Sequence, residues 1–69
     1  MSFMIREAIT QNVQGDSSTE FRDTVADAIS RGDEHLLPGL GVFLEKWWQT
    51  SSVDEQEAFT EKLSQAFKN

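Results

Sequence analysis

The segment Leu36-Leu37-Pro38-Gly39-Leu40-Gly41-Val42-Phe43 runs directly into Leu44-Glu45-Lys46-Trp47-Trp48, and it limits the possible fold more than any other part of the chain. It gathers the only proline, two of the four glycines and both tryptophans into one mostly apolar block. In a chain of 69 residues apolar material is scarce, so its concentration here sets where the core is centred. That length holds one domain, residues 1–69, which buries only about 60% of its unfolded surface. There is no Cys, so neither a disulfide nor a thiolate metal site can supplement the core. This fits a reducing interior better than a small secreted scaffold.

Four segments carry apolar residues at helical spacing. Ile5, Ala8, Ile9 and Val13 share one side of a first helix, with Ser2 as its N-cap and Gly15-Asp16 as its stop. Ser17-Ser18-Thr19-Glu20 offers a capping box to a second helix, whose stripe is Phe21, Val25, Ala28 and Ile29 and whose stop is Gly32. In the third, Leu40, Phe43, Leu44, Trp47 and Trp48 fall within an arc of roughly 140° on a helical wheel. Pro38 suits its first turn, where a missing N–H costs nothing, and Gly39 and Gly41 allow neighbouring backbone to come close. Ser52-Val53-Asp54-Glu55 is a second capping box, followed by the stripe Phe59, Leu63, Ala66 and Phe67. The linkers are short, and no repeat or low-complexity tract interrupts them. The expected fold is all-α: a single small domain, a compact bundle of about four short helices.

Six Lys and Arg against twelve Asp and Glu give a formal charge of −6, which repels nucleic acid and anionic membranes. No apolar run reaches the roughly 18 residues of a membrane span. The start, Met1 to Glu7, lacks the basic and apolar regions of a secretory signal, so a soluble cytoplasmic-type protein is expected. The single His, His35, lies in the connector Asp33-Glu34-His35 with no further ligand or nucleophile in sight, so it reads as exposed connector. The carboxylates lie on polar helix faces, where nothing perturbs a pKa for acid–base work. Gly39-Leu40-Gly41 lacks the further glycine and the Lys-Ser/Thr of a phosphate loop. No catalytic, cofactor-binding or metal-ligating residue is therefore assigned. Trp47 is expected near the centre of the third stripe and Trp48 at its edge, where exposed aromatic surface offers a contact for a protein partner.

These residues carry two resemblances. Arg6, Ala8-Ile9, Asn12-Val13, Gly15, Thr24-Val25, Asp27-Ala28-Ile29, Gly32, Leu37-Pro38-Gly39-Leu40-Gly41-Val42, Glu45 and Trp48 resemble, in order and spacing, the small acid-soluble spore protein I family of spore-forming Bacilli. Phe43-Leu44 and Lys46-Trp47 depart from its usual pattern, and from Ser51 onward the match is mainly one of length and helical pattern. The resemblance implies a minor, non-enzymatic protein made in the forespore and kept in the spore core, a structural or interaction component of sporulation with no known cofactor. A shorter set, Asp23-Thr24-Val25, Ala28-Ile29, Gly32-Asp33, Leu37, Gly39-Leu40-Gly41 and Phe43, is similar to bacterial histone-like DNA-bending proteins. That alternative implies a DNA-associated module with residues 36–45 extended, yet the basic arm of those proteins has no counterpart here. A small enzyme is the third possibility and the least supported, with one His and no Cys to build from.

Overall fold

The computed structural model describes residues 4–68, and four α-helices account for most of them. These are α1 (Ile5–Val13), α2 (Ser18–Arg31), α3 (Leu37–Thr50) and α4 (Val53–Ala66), with one 3₁₀ turn, Glu34–Leu36, leading into α3. The expected all-α arrangement of four helices in one small domain is the one observed. The expected N-cap Ser2 lies outside the described residues.

Local chemistry accounts for the helix ends. Ser17 Oγ accepts from the Glu20 amide at 3.2 Å, and Glu20 Oε1 accepts from the Ser17 amide at 2.9 Å. Ser52 and Glu55 repeat the reciprocal pair at the start of α4, at 3.2 and 2.8 Å. Each box satisfies two backbone donors that a helix start otherwise leaves open. Gly15 and Gly32 adopt φ of +86° and +64°, a region that costs any L side chain energy, and so the chain turns after α1 and α2. Pro38 sits in the first turn of α3.

Residues 36–45, extended in the histone-like alternative, are helical: Leu36 closes the 3₁₀ turn and α3 runs unbroken from Leu37. No strand occurs among the described residues, so there is no ladder to pair them. The glycines also differ from expectation. A Cβ at Gly39 would meet the Ile9 side chain at 3.5 Å, an ordinary contact and not a backbone approach, while at Gly41 nothing lies within 4 Å.

α3 is the hub. Phe21 of α2 meets Phe43 edge-on, with ring centroids 5.4 Å apart. Phe59 of α4 packs on Trp47 at 5.0 Å. From α1, Ile9 lies over Gly39, and Arg6 reaches Glu45. Even so, no described residue is fully buried, and the central side chains are half-covered. Two stripe residues fall away from the centre altogether: Ile29 is 66% exposed and Phe67 is 81% exposed. α4 ends at Ala66, so Phe67 leaves the helix as its C-cap, beyond the reach of α3.

The packing predicts a steep contrast between two phenylalanines. Phe43→Ala removes the contact that holds α2 and is expected to destabilise by about 2 kcal/mol, while Phe67→Ala stays within about 0.5 kcal/mol. Ser52→Ala, which opens a capping box, is expected to cost about 1 kcal/mol. Urea unfolding of the three variants measures all of these, and equal losses at Phe43 and Phe67 would contradict the hub.

Candidate functional site

The residues weighed as sites are dispersed in the fold, and His35 meets the carboxylate of its sequence neighbour Asp33 and no nucleophile. His35 lies in the 3₁₀ turn with its ring in solvent. Its backbone N–H donates to Asp33 Oδ1 at 2.9 Å, and Nδ1 lies 3.0 Å from the same oxygen. This is a local turn closed by an Asp side chain, which engages the ring as it caps the backbone. Gly41 lies beyond the first turn of α3, where backbone amides already have intrahelical acceptors, and Gly39, in the first turn, faces the Ile9 side chain, so the two glycines do not form a phosphate cradle. Among the described residues no group of three or more His, Cys, Asp or Glu is placed to hold a metal ion.

The shifted carboxylates all move the same way. Backbone N–H donation from Ser17, together with its side chain, holds Glu20 below the ordinary glutamate range, and Ser52 does the same to Glu55. The His35 amide lowers Asp33. Glu45 is lowered by Arg6, whose Nε and Nη2 donate to its two carboxylate oxygens at 2.6 and 2.8 Å. Each of these groups is fixed as an anion by a structural bond. A general acid needs the opposite, a carboxyl raised toward neutrality by burial or a like charge.

Two features remain that can contact another molecule. A hollow of about 320 Å³ opens between α1 and α3, walled mainly by Ile9, Val13, Phe21, Val42, Phe43 and Trp47. Its size is that of a small ligand site, but such sites fix their ligands through a few placed polar groups. Its polar wall residues are Thr10, Gln14, Lys46 and Thr50, and the two threonine hydroxyls donate to the Arg6 and Lys46 carbonyls of their own helices. It is a packing gap at the centre of a thinly filled core.

The second feature is the exposed aliphatic and aromatic side of α3. Trp48 is 41% exposed and Trp47 37%, so the expected centre-and-edge contrast between them is nearly absent. Trp47 lies on Phe59, yet α4 covers only part of the indole. Leu37 and Leu44 join Trp48 on the open side. The sequence pattern placed Leu44 in the packed stripe of the third helix and gave Leu37 no surface role, whereas both are exposed. It also missed the clamp of Gln56, whose Nε2 donates to the Trp48 carbonyl at 2.8 Å and ties α4 to the end of α3. The Arg6–Glu45 pair joins two residues that carry the resemblance, 39 positions apart, and no local pattern announces it.

A family model described as "Small, acid-soluble spore protein I" matches residues 3–67. Among relatives of that printed name, one from Halalkalibacterium halodurans is 38% identical, over 99% of this chain and all of its own length. One from Bacillus cereus is 41% identical over 99% of both chains. One from a Geobacillus species is also 41% identical, over 99% of this chain and 96% of its own. No solved structure matches the chain.

The lowered carboxylates predict an acid-labile fold. The folded state binds protons less readily than the unfolded chain at Glu20, Glu45 and Glu55. Their contribution is therefore complete above the ordinary glutamate value of 4.5 and is lost as pH falls through the lower folded values. The urea midpoint is expected to hold steady from neutrality to that value and then fall. A Glu20→Gln, Glu55→Gln double variant keeps cap-competent side chains and is expected to show a shallower acid decline.

Proposed function

Because this chain belongs to the small acid-soluble spore protein I family, we propose that it is a non-enzymatic minor protein of the spore core, made in the forespore and acting as a structural or interaction component of sporulation. The observation that carries this is the family match along nearly the whole chain, with family members of closely similar length. The polar chemistry is consistent with it. Ser17, Ser52, Glu20 and Glu55 are engaged in capping helices, Asp33 closes a turn, and Arg6 and Glu45 are engaged with each other. No described helix is long and apolar enough to cross a membrane. What the molecule offers a neighbour is apolar surface on α3, so its role is one of contact.

A DNA-coating role suits the chain poorly. The charge of −6 would give up the counterion-release energy on which non-specific DNA binding depends, and the helical α3 stands where the histone-like alternative needs extended chain.

Two measurements test this. Mass spectrometry of acid extracts is expected to find the protein in purified spores and not in vegetative cells, and the reverse distribution would sink the assignment. In a gel shift with duplex DNA at low salt no retarded band is expected. A band that weakens as salt rises would restore the DNA-associated alternative.

A further inference from the structure

α1 is supported on α3 at its middle and stands over a hollow at each end. The helix has 9 residues, about 13 Å of length, and Ile9 is the central one. Ile9 Cδ1 lies 3.5 Å from where a Cβ at Gly39 would stand, so this glycine is where α1 rests. Toward the Ile5 end a hollow of about 440 Å³ separates the helices, with Ile5 and Glu7 on one wall and Pro38 and Val42 on the other. Toward the Val13 end is the hollow of about 320 Å³ walled by Val13, Phe43 and Trp47. Close packing normally leaves few voids of this size. With support at the middle and space at both ends, apolar contact does not fix the tilt of α1.

Charge supplies the second fixed point. Arg6 Nε and Nη2 donate to the two Glu45 carboxylate oxygens at 2.6 and 2.8 Å, beside the hollow at the Ile5 end. A two-bonded planar fork of this kind sets direction. It also lies in water: the Arg6 side chain is 76% exposed and that of Glu45 37%. Pairs so placed contribute little to stability and are screened by salt.

The pull on the other end is apolar. Lowering Val13 toward Phe43 and Trp47 takes the walls of the second hollow out of water, which is favourable in proportion to the area removed. Raising the opposite end loses less, because Met4 and Ile5 are already 60% and 37% exposed. The link to α2 can follow, since Gly15 turns at φ +86° and nothing lies within 4 Å of its missing Cβ.

We propose that the Arg6–Glu45 pair is a salt-released latch on the tilt of α1. Latched, α1 takes the orientation of this structure. Released, it rocks about Ile9: its Ile5 end rises from α3 and its Val13 end closes the hollow against Trp47. The pair exists in only one of the two tilts, so whatever weakens it shifts the population toward the other. The inference is independent of the spore role and stands on the fold alone.

Nuclear Overhauser contacts in the full chain read the tilt. An exposed pair of this kind shifts the ratio of the two tilts about two- to fivefold. In Arg6→Gln the cross-peak between the Val13 methyls and the Trp47 indole is therefore expected to strengthen at least about twofold, while the urea midpoint stays near that of the wild type. Raising sodium chloride from about 0.05 to about 1 M is expected to move the wild type the same way and to leave Arg6→Gln unmoved. Arg6→Glu combined with Glu45→Arg rebuilds the pair in reverse and is expected to restore the wild-type cross-peak. A cross-peak unchanged in Arg6→Gln, or a salt response of equal size in wild type and variant, would overturn the latch. Loss of the α1 helical chemical shifts in Arg6→Gln would overturn it as well, because the pair would then hold α1 folded instead of choosing its tilt.

Discussion

The ring and aliphatic contacts that hold α1, α2 and α4 in place are made on α3. The chain is too short to build two layers of apolar residues, so one segment supplies most of what can be buried and the others attach to it singly. α2 attaches through Phe21 on Phe43, α4 through Phe59 on Trp47, and α1 through Ile9 over Gly39. Polar contacts orient these attachments. The Arg6–Glu45 fork has geometry that fixes direction, but it lies in solvent, where screening removes most of its stabilising effect. The Gln56 amide reaches the last carbonyls of α3 and sets where α4 departs. The hub arrangement explains why the core is thin: each attached helix covers one side of α3 and is itself left open behind.

The same arrangement shapes function. Acid–base and metal chemistry depend on polar groups that are desolvated or crowded, and here the carboxylates with lowered pKa serve two helix starts, one turn and the Arg6–Glu45 pair. All are stabilised as anions by donors. The molecule's unused capacity is apolar. One side of the hub is left open to solvent at Leu37, Leu44 and Trp48.

Much of this was legible in the chain before any fold was known. The capping boxes at Ser17–Glu20 and Ser52–Glu55, the glycine stops at positions 15 and 32 and the entry proline at 38 all appear where their residue types require. Each of these features is a bargain between groups at most a few positions apart. The family, too, was readable from the order of residues such as Leu37 to Val42. The stripes were less reliable guides. A helical wheel gives the angle of Ile29, Trp47, Trp48 or Phe67 about its own axis, but not whether another helix arrives at that angle. Ile29 and Phe67 stay mostly exposed, and the neighbour that Trp47 has covers it only in part.

The division therefore follows the range of the interactions. Helix identity, helix ends and the position of the apolar centre depend on hydrogen bonds and torsion preferences within about one turn, and the amino-acid order alone determined them. Which side of α3 is covered, what Glu45 pairs with and where a hole is left over Gly41 depend on groups brought together from distant parts of the chain. Only the tertiary structure decided those, because three short helices cannot surround a fourth, and the sequence does not say which side will be left open.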